Sequence, residues 1–185
     1  MHVSAYTLAE MVDHERESES TTWTLVQPTA RREWELRRGT EVRASLRIPT
    51  FRSGARAETS DRRLRIQRAG GLRASYAVLD ETSGAEIGRL RPEGRRRVLE
   101  LDGLIGEWRN LGRKHGFGFV GEDGDPFVTA KVRSGLLRSS GEVKVNASLD
   151  ERAAIVAALL ACYLLIRRNE ETATGAAAST AAVGS

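Results

Sequence analysis

Residues 153–166 read AAIVAALLACYLLI, and this uncharged stretch decides the fold. The four residues SLDE at 148–151 precede it and form a capping box, in which Ser148 accepts from the third helical N–H and Glu151 reaches back. Arg167 and Arg168 follow, at a position where cations interact favourably with the helix dipole. We therefore predict an apolar helix that begins after this box and ends at the two arginines.

The length of the apolar stretch favours a buried core helix over a membrane span. Its fourteen residues would cover about 21 Å, against roughly 30 Å for the hydrocarbon core of a bilayer. A helix that is apolar all round must be enclosed on every side. Its alanines also form a stripe of small side chains that would let one wall approach closely, namely Ala153, Ala154, Ala157, Ala158 and Ala161.

The chain before the helix has the pattern of a β-sheet. Apolar and polar residues alternate in about twelve short runs separated by Gly, Pro, Asp and Ser, which predicts hairpins of antiparallel strands. The runs are 23–26, 33–37, 41–47, 51–58, 64–68, 74–80, 86–91, 98–102, 104–111, 117–121, 127–133 and 142–146. A sheet with one apolar side must cover it, either as a sandwich or as a barrel closed around a filler, and the apolar helix can be that filler.

Length and composition set the domain organisation. A chain of 185 residues has room for one domain of about 150 residues. We assign residues 1–21 to an acidic and flexible leader, 22–168 to the domain, and 169–185 to a disordered tail. The leader lacks the basic and apolar regions of a signal peptide, and the single Cys162 excludes an intrachain disulfide, so we expect a cytoplasmic protein.

Positive charge is concentrated in one part of the sequence. Residues 31–73 contain thirteen arginines and five acids, although Arg also outnumbers Lys 26 to 3 over the whole chain, which is typical of a merely solvated surface. Arginine pairs with phosphate oxygens in bidentate fashion. The candidate ligand-binding residues are those in the two densest clusters, Arg62 and Arg63, and Arg95, Arg96 and Arg97.

Other reactive residue types do not combine into a catalytic or metal site. The three histidines are far apart in sequence, and Cys162 lies inside the apolar stretch. The acids at 122–125 fit a hairpin turn better than a calcium loop. We therefore predict no catalytic residue, no metal ligand, no cofactor and no small-molecule substrate, and the sequence leaves the oligomeric state open.

Residues 114–121, KHGFGFVG, approach the RNP1 strand of RNA-recognition domains. They depart from it at both ends, because His115 is inserted before the glycine and Gly121 replaces the final aromatic residue. An alternative function is therefore single-stranded RNA binding, with bases stacked on Phe117 and Phe119.

About twelve short antiparallel strands followed by one apolar helix resemble the tubby C-terminal-like superfamily. The local phrases YAVLD at 76–80, GAEIGRL at 84–90 and LDG at 101–103 are similar to those of LURP-one-related and scramblase-like members. The resemblance implies a mainly β fold, an antiparallel barrel of about twelve strands that encloses one hydrophobic C-terminal α-helix. It also implies a non-enzymatic module that binds anionic phospholipid headgroups, peripheral at a membrane, which here would use the arginine-rich face.

Overall fold

Twelve β-strands precede a long C-terminal helix. A computed structural model describes residues 20–29, 31–50, 54–71, 74–134 and 139–181, except for the side chains of Ser134 and residues 174–181. In chain order the strands are β1 (Ser20–Val26), β2 (Glu33–Arg38), β3 (Glu41–Arg47), β4 (Gly54–Thr59), β5 (Arg63–Ala69), β6 (Ser75–Asp80), β7 (Glu86–Glu93), β8 (Arg96–Leu101), β9 (Leu104–Asn110), β10 (Phe117–Val120), β11 (Pro126–Ser134) and β12 (Ser139–Asn146). The helices are α1 (Gly112–His115), a single turn, and α2 (Glu151–Ala181). The predicted strands are confirmed, although residues 51–53 of the fourth lie outside the described residues.

The strands close into one antiparallel barrel. Each pairs with its neighbours in the chain, and β12 pairs with β1 to complete the circle, as in the opposition of Trp23 and Val143. Of the two arrangements that the alternation allows, the structure is therefore the barrel. The alternation itself is clear in β5, where Leu64 and Ile66 are buried and Arg63, Arg65 and Gln67 are exposed.

Antiparallel order puts successive connections at opposite ends of the barrel. We call the end that carries the connections after β1, β3, β5, β7, β9 and β11 the exit end. The connections after the even-numbered strands, including the one that leads into α2, lie at the entry end. The two ends are separated by the length of a six-residue strand, roughly 20 Å.

Helix α2 runs through the barrel from the entry end to the exit end. Near its start, Arg152 Nε lies 3.3 Å from Asp61 Oδ2 in the β4–β5 connection. Further along, the Arg168 guanidinium lies 4.4 Å from the ring centroid of Phe117, the first residue of β10. Residues 154–166 are buried without interruption, so every side of the helix is covered. Their length, about 20 Å, matches the height of the wall, and the predicted enclosed helix is confirmed.

The helix is the core that a barrel of this size requires. Eight strands enclose a space that their own side chains can fill, whereas twelve leave a lumen that must be occupied. The closest wall is β11, and the Tyr163 ring packs edge-on against Tyr76 of β6 with centroids 5.8 Å apart. Cys162 is fully enclosed, and burial raises the pKa of its thiol to about 12. It therefore packs as a small apolar group.

The predicted capping box is wrong. Asp150 caps α2: its carbonyl accepts from Ala154 N at 2.9 Å, and its Oδ2 accepts from Arg152 N at 3.2 Å. Ser148 Oγ instead donates to Asn146 Oδ1 at 2.9 Å. Glu151 pairs outward with Arg43. The reason is that the helix begins two residues later than the box assumes, with Asp150 just before its first residue.

The predicted helix end at Arg168 is also wrong, because α2 continues to Ala181. Part of the supposed disordered tail is therefore helical, while residues 182–185 lie outside the described residues. Arg167 pairs with Glu170 one turn later at 3.1 Å, and neither Gly nor Pro interrupts the chain before Gly175. Basic residues stabilise a helix end but do not terminate a helix, which needs a breaker. No helix in the described part of the chain is long and apolar enough to cross a membrane.

At the N-terminus, β1 begins at Ser20, so the last two residues assigned to the leader belong to the barrel. The rest of the predicted leader, residues 1–19, lies outside the described residues.

Candidate anion-binding site

The two ends of the barrel carry opposite charge. The described residues of the exit-end connections include five basic residues and no acid, and the basic residues are Arg31, Arg32, Arg95, Arg113 and Lys114. The entry-end connections contain seven acids and one base, Arg62, and the acids are Asp61, Glu81, Asp102, Glu122, Asp123, Asp125 and Asp150. The hairpin topology allows this separation of charge, because successive connections along the chain lie at alternate ends of the barrel.

A row of three arginines runs obliquely across the outer wall, from Arg47 at the exit end of β3 towards the entry end. Arg47 of β3 lies directly opposite Arg56 of β4, which lies directly opposite Arg65 of β5. Residues in such register have Cα atoms about 5 Å apart, and like charges placed there destabilise a sheet. We call these three residues the arginine row.

The arginine row is only partly neutralised. Arg47 Nε lies 3.4 Å from Glu33 Oε1, and Arg56 Nε lies 3.3 Å from Glu81 Oε1. Arg65 has no acidic partner among the described residues. The Arg47 and Arg56 side chains remain 73% and 63% exposed. Their donors are therefore open to an external anion.

A surface groove of about 850 Å³ runs along the arginine row. It is lined by the row, by Arg31 and Arg32 of the β1–β2 connection, and by uncharged residues of β4, β5 and the β3–β4 connection. Among the described residues that line it, Glu33 is the one acid. Arg32 pairs with Glu170 of α2, which ties the groove to the helix where it leaves the barrel. Five guanidinium groups around one groove match the phosphate oxygens of an anionic ligand.

The structure does not bring the predicted ligand-binding residues together. Arg62 and Arg63 lie at the entry end, where Arg62 Nε is 3.7 Å from Asp61 Oδ2 and Arg63 Nε is 3.3 Å from Glu58 Oε1. Arg95, Arg96 and Arg97 lie at the exit end, in and after the β7–β8 connection. The two clusters are thus separated by the height of the barrel, so they do not form one surface.

The arginine row was missed because its members are nine residues apart in sequence. Each arginine looks like an ordinary outward residue of its own strand. The excess of arginine in residues 31–73 does indicate the part of the chain that contains the row and the groove. Choosing the residues, however, requires the strand register, and adjacent arginines in sequence point to opposite sides of a strand.

The aromatic pair proposed to stack RNA bases is covered. Phe119 is fully buried. Phe117 is half-buried, stacked on Trp108 with centroids 5.7 Å apart and capped by Arg168. Base stacking needs an exposed ring face, so these two rings do not supply the predicted platform.

The acids at 122–125 form a hydrogen-bonded turn, in agreement with the prediction. Asp123 Oδ1 accepts from Asp125 N at 3.0 Å, and Gly124 has a φ of 87°, a conformation that favours glycine. Within the described residues, no group of three or more His, Cys, Asp or Glu side chains is arranged to hold a metal ion.

Comparisons with known proteins add no relative. No family model matches the chain, and no curated protein or solved structure is significantly similar to it. The likeness to tubby C-terminal-like proteins therefore stays a prediction from sequence.

Proposed function

We propose that the protein is a non-enzymatic binding module that docks on anionic phospholipid headgroups through its exit end. The observation that carries the proposal is the arginine row with its groove, set beside exit-end connections that hold basic residues. Together they form a broad positive surface rather than one enclosed pocket. A broad surface suits a planar array of phosphates, as at a membrane.

Two further features support the proposal. The like-charged arginine row costs stability in the free protein, and a bound anion would relieve that cost. A barrel closed around an apolar helix is also the architecture that resemblance to the tubby C-terminal-like superfamily implies, and members of that group are linked to membranes. A cytoplasmic protein peripheral at the membrane follows from the same proposal.

Vesicle flotation with three double variants tests the proposal. R56Q/R65Q removes two members of the arginine row, R95Q/R96Q removes two exit-end arginines, and R62Q/R63Q removes two entry-end arginines, one from the β4–β5 connection and one from β5. All three lose the same charge. The vesicles are phosphatidylcholine alone, or phosphatidylcholine with phosphatidylserine or with a phosphoinositide.

We expect binding only to the anionic vesicles. A basic residue near such a surface contributes about 1 kcal/mol, so R56Q/R65Q should weaken binding about 30-fold. R95Q/R96Q should weaken it as well, whereas R62Q/R63Q should stay within about twofold of the parent. Free inositol phosphate as competitor separates recognition of the headgroup from attraction to the surface.

Two results would overturn the proposal. One is failure of the parent protein to float with any anionic vesicle at low salt. The other is an equal loss for R62Q/R63Q and R56Q/R65Q, which would mean that net charge acts without a site.

A further inference from the structure

Many charged residues on the walls of the barrel are paired, whereas most acids at its entry end are not. Outward arginines on the walls pair with acids on the same or a neighbouring strand, as Arg89 with Glu86 at 2.7 Å and Arg91 with Glu100 at 2.6 Å. Of the seven acids in the entry-end connections, five have no ion-pair partner among the described residues, and these are Asp102, Glu122, Asp123, Asp125 and Asp150. Among the described residues, unpaired acids are therefore concentrated at the entry end.

The exit end has a matching set of unpaired bases. Arg31, Arg95, Arg113 and Lys114 form no ion pair with any described residue, and all four are exposed. The two ends of one molecule cannot neutralise each other, because roughly 20 Å separates them and screening at physiological salt acts over about 8 Å. Contact with the opposite end of a second molecule would remove both excesses.

We propose that the basic exit end of one copy docks on the acidic entry end of a second copy, so that barrels associate head to tail. The contact uses two different surfaces of the same chain and is therefore heterologous. Each docked pair leaves one acidic end and one basic end free, and further copies can bind there. The interaction goes beyond lipid binding and does not depend on it, but both use the exit end and so compete.

The entry-end surface is rigid enough to act as a docking face. The turn that holds Glu122 and Asp125 is fixed by the Asp123 hydrogen bond described above. On the opposite side of the same end, Asp61 is held by Arg152 of α2. Preorganised charges lose little conformational entropy on contact, which favours binding over transient attraction.

Sedimentation velocity without lipid tests the proposal. At low salt we expect the weight-average mass of the full chain to rise with protein concentration, and high salt should abolish the rise. Two variants each neutralise one end, E122Q/D125N at the entry end and R95Q/R113Q at the exit end. A third, E100Q/E142Q, removes two acids from the walls as a matched control.

Each end variant alone should self-associate about tenfold more weakly than the parent, given the usual strength of exposed ion pairs. The wall control should associate like the parent. A mixture of the two end variants should regain association as a one-to-one pair, because each retains the end that the other lacks.

Three results would overturn the proposal. These are a monomer at every concentration in low salt, a wall control that weakens as much as the end variants, and end variants that fail to complement each other. Since no lipid is present, failure here leaves vesicle binding intact, and failure of vesicle binding leaves this association intact.

Discussion

At the scale of single residues, Tyr163 shows what enclosure by the barrel costs. Its hydroxyl is buried and has no hydrogen-bond partner among the described residues. Burial is also the main reason that its pKa is raised, with Tyr76 nearby as a second cause. The ring packs against Tyr76, while the hydroxyl group loses its hydrogen bonds to water and gains none in the described part of the protein.

We therefore predict that Tyr163→Phe stabilises the protein. Removal of an unsatisfied buried hydroxyl, with the ring kept, should raise the free energy of unfolding by about 1 kcal/mol. Urea denaturation followed by circular dichroism measures the change. A lower free energy of unfolding would mean that the hydroxyl has a partner after all.

At the scale of elements, α2 shows how far a local pattern can be trusted. Its apolar centre was predictable, because fourteen uncharged residues in succession permit one solution for a non-spanning helix, namely full enclosure. Its boundaries were not. Both Ser148 and Asp150 are good capping residues, and the choice between them depends on where β12 ends and how the chain turns into the barrel.

The observed cap predicts different results for two similar substitutions. Asp150→Ala should lower the free energy of unfolding by about 1 kcal/mol, because the carboxylate accepts a helical N–H. Ser148→Ala should change it by less than half as much, since Asn146 is the one partner of Ser148 Oγ within the described residues. Thermal unfolding of the two variants beside the parent distinguishes them. The reverse order would restore the capping box.

At the scale of the whole molecule, the barrel is electrically polarised along its axis. An anionic surface attracts the exit end and repels the entry end, where Asp80 adds to the charge. The backbone N–H groups of Ser83 and Thr82 hold the pKa of Asp80 below its usual range, so this carboxyl is ionised at neutral pH. If the protein docks on lipid as proposed, it should stand upright with α2 along the membrane normal.

Single labels at the two ends test this orientation. His115→Cys lies at the exit end and Ser60→Cys at the entry end, and both positions are exposed. Cys162 should not react, because it is enclosed and its thiol pKa is about 12. On anionic vesicles, a lipid-borne quencher should quench a dye at 115 strongly and a dye at 60 weakly. Equal quenching would contradict end-on docking.

The sequence by itself determined which secondary-structure elements this protein forms and which of their faces are buried. Alternation with a period of two, glycine-rich turns and one run of apolar residues are local signals, and each follows from what neighbouring residues in the chain can bury. They were enough to predict twelve strands, antiparallel pairing and an enclosed helix.

Only the tertiary structure decided which charged residues lie close together in space. Arg47, Arg56 and Arg65 form a row because of strand register, and Arg62 and Arg95 lie at opposite ends because of hairpin topology. Both are relations between residues distant in the chain, set by the closure of the sheet around α2. No local pattern encodes them, because electrostatic interactions depend on distance in space.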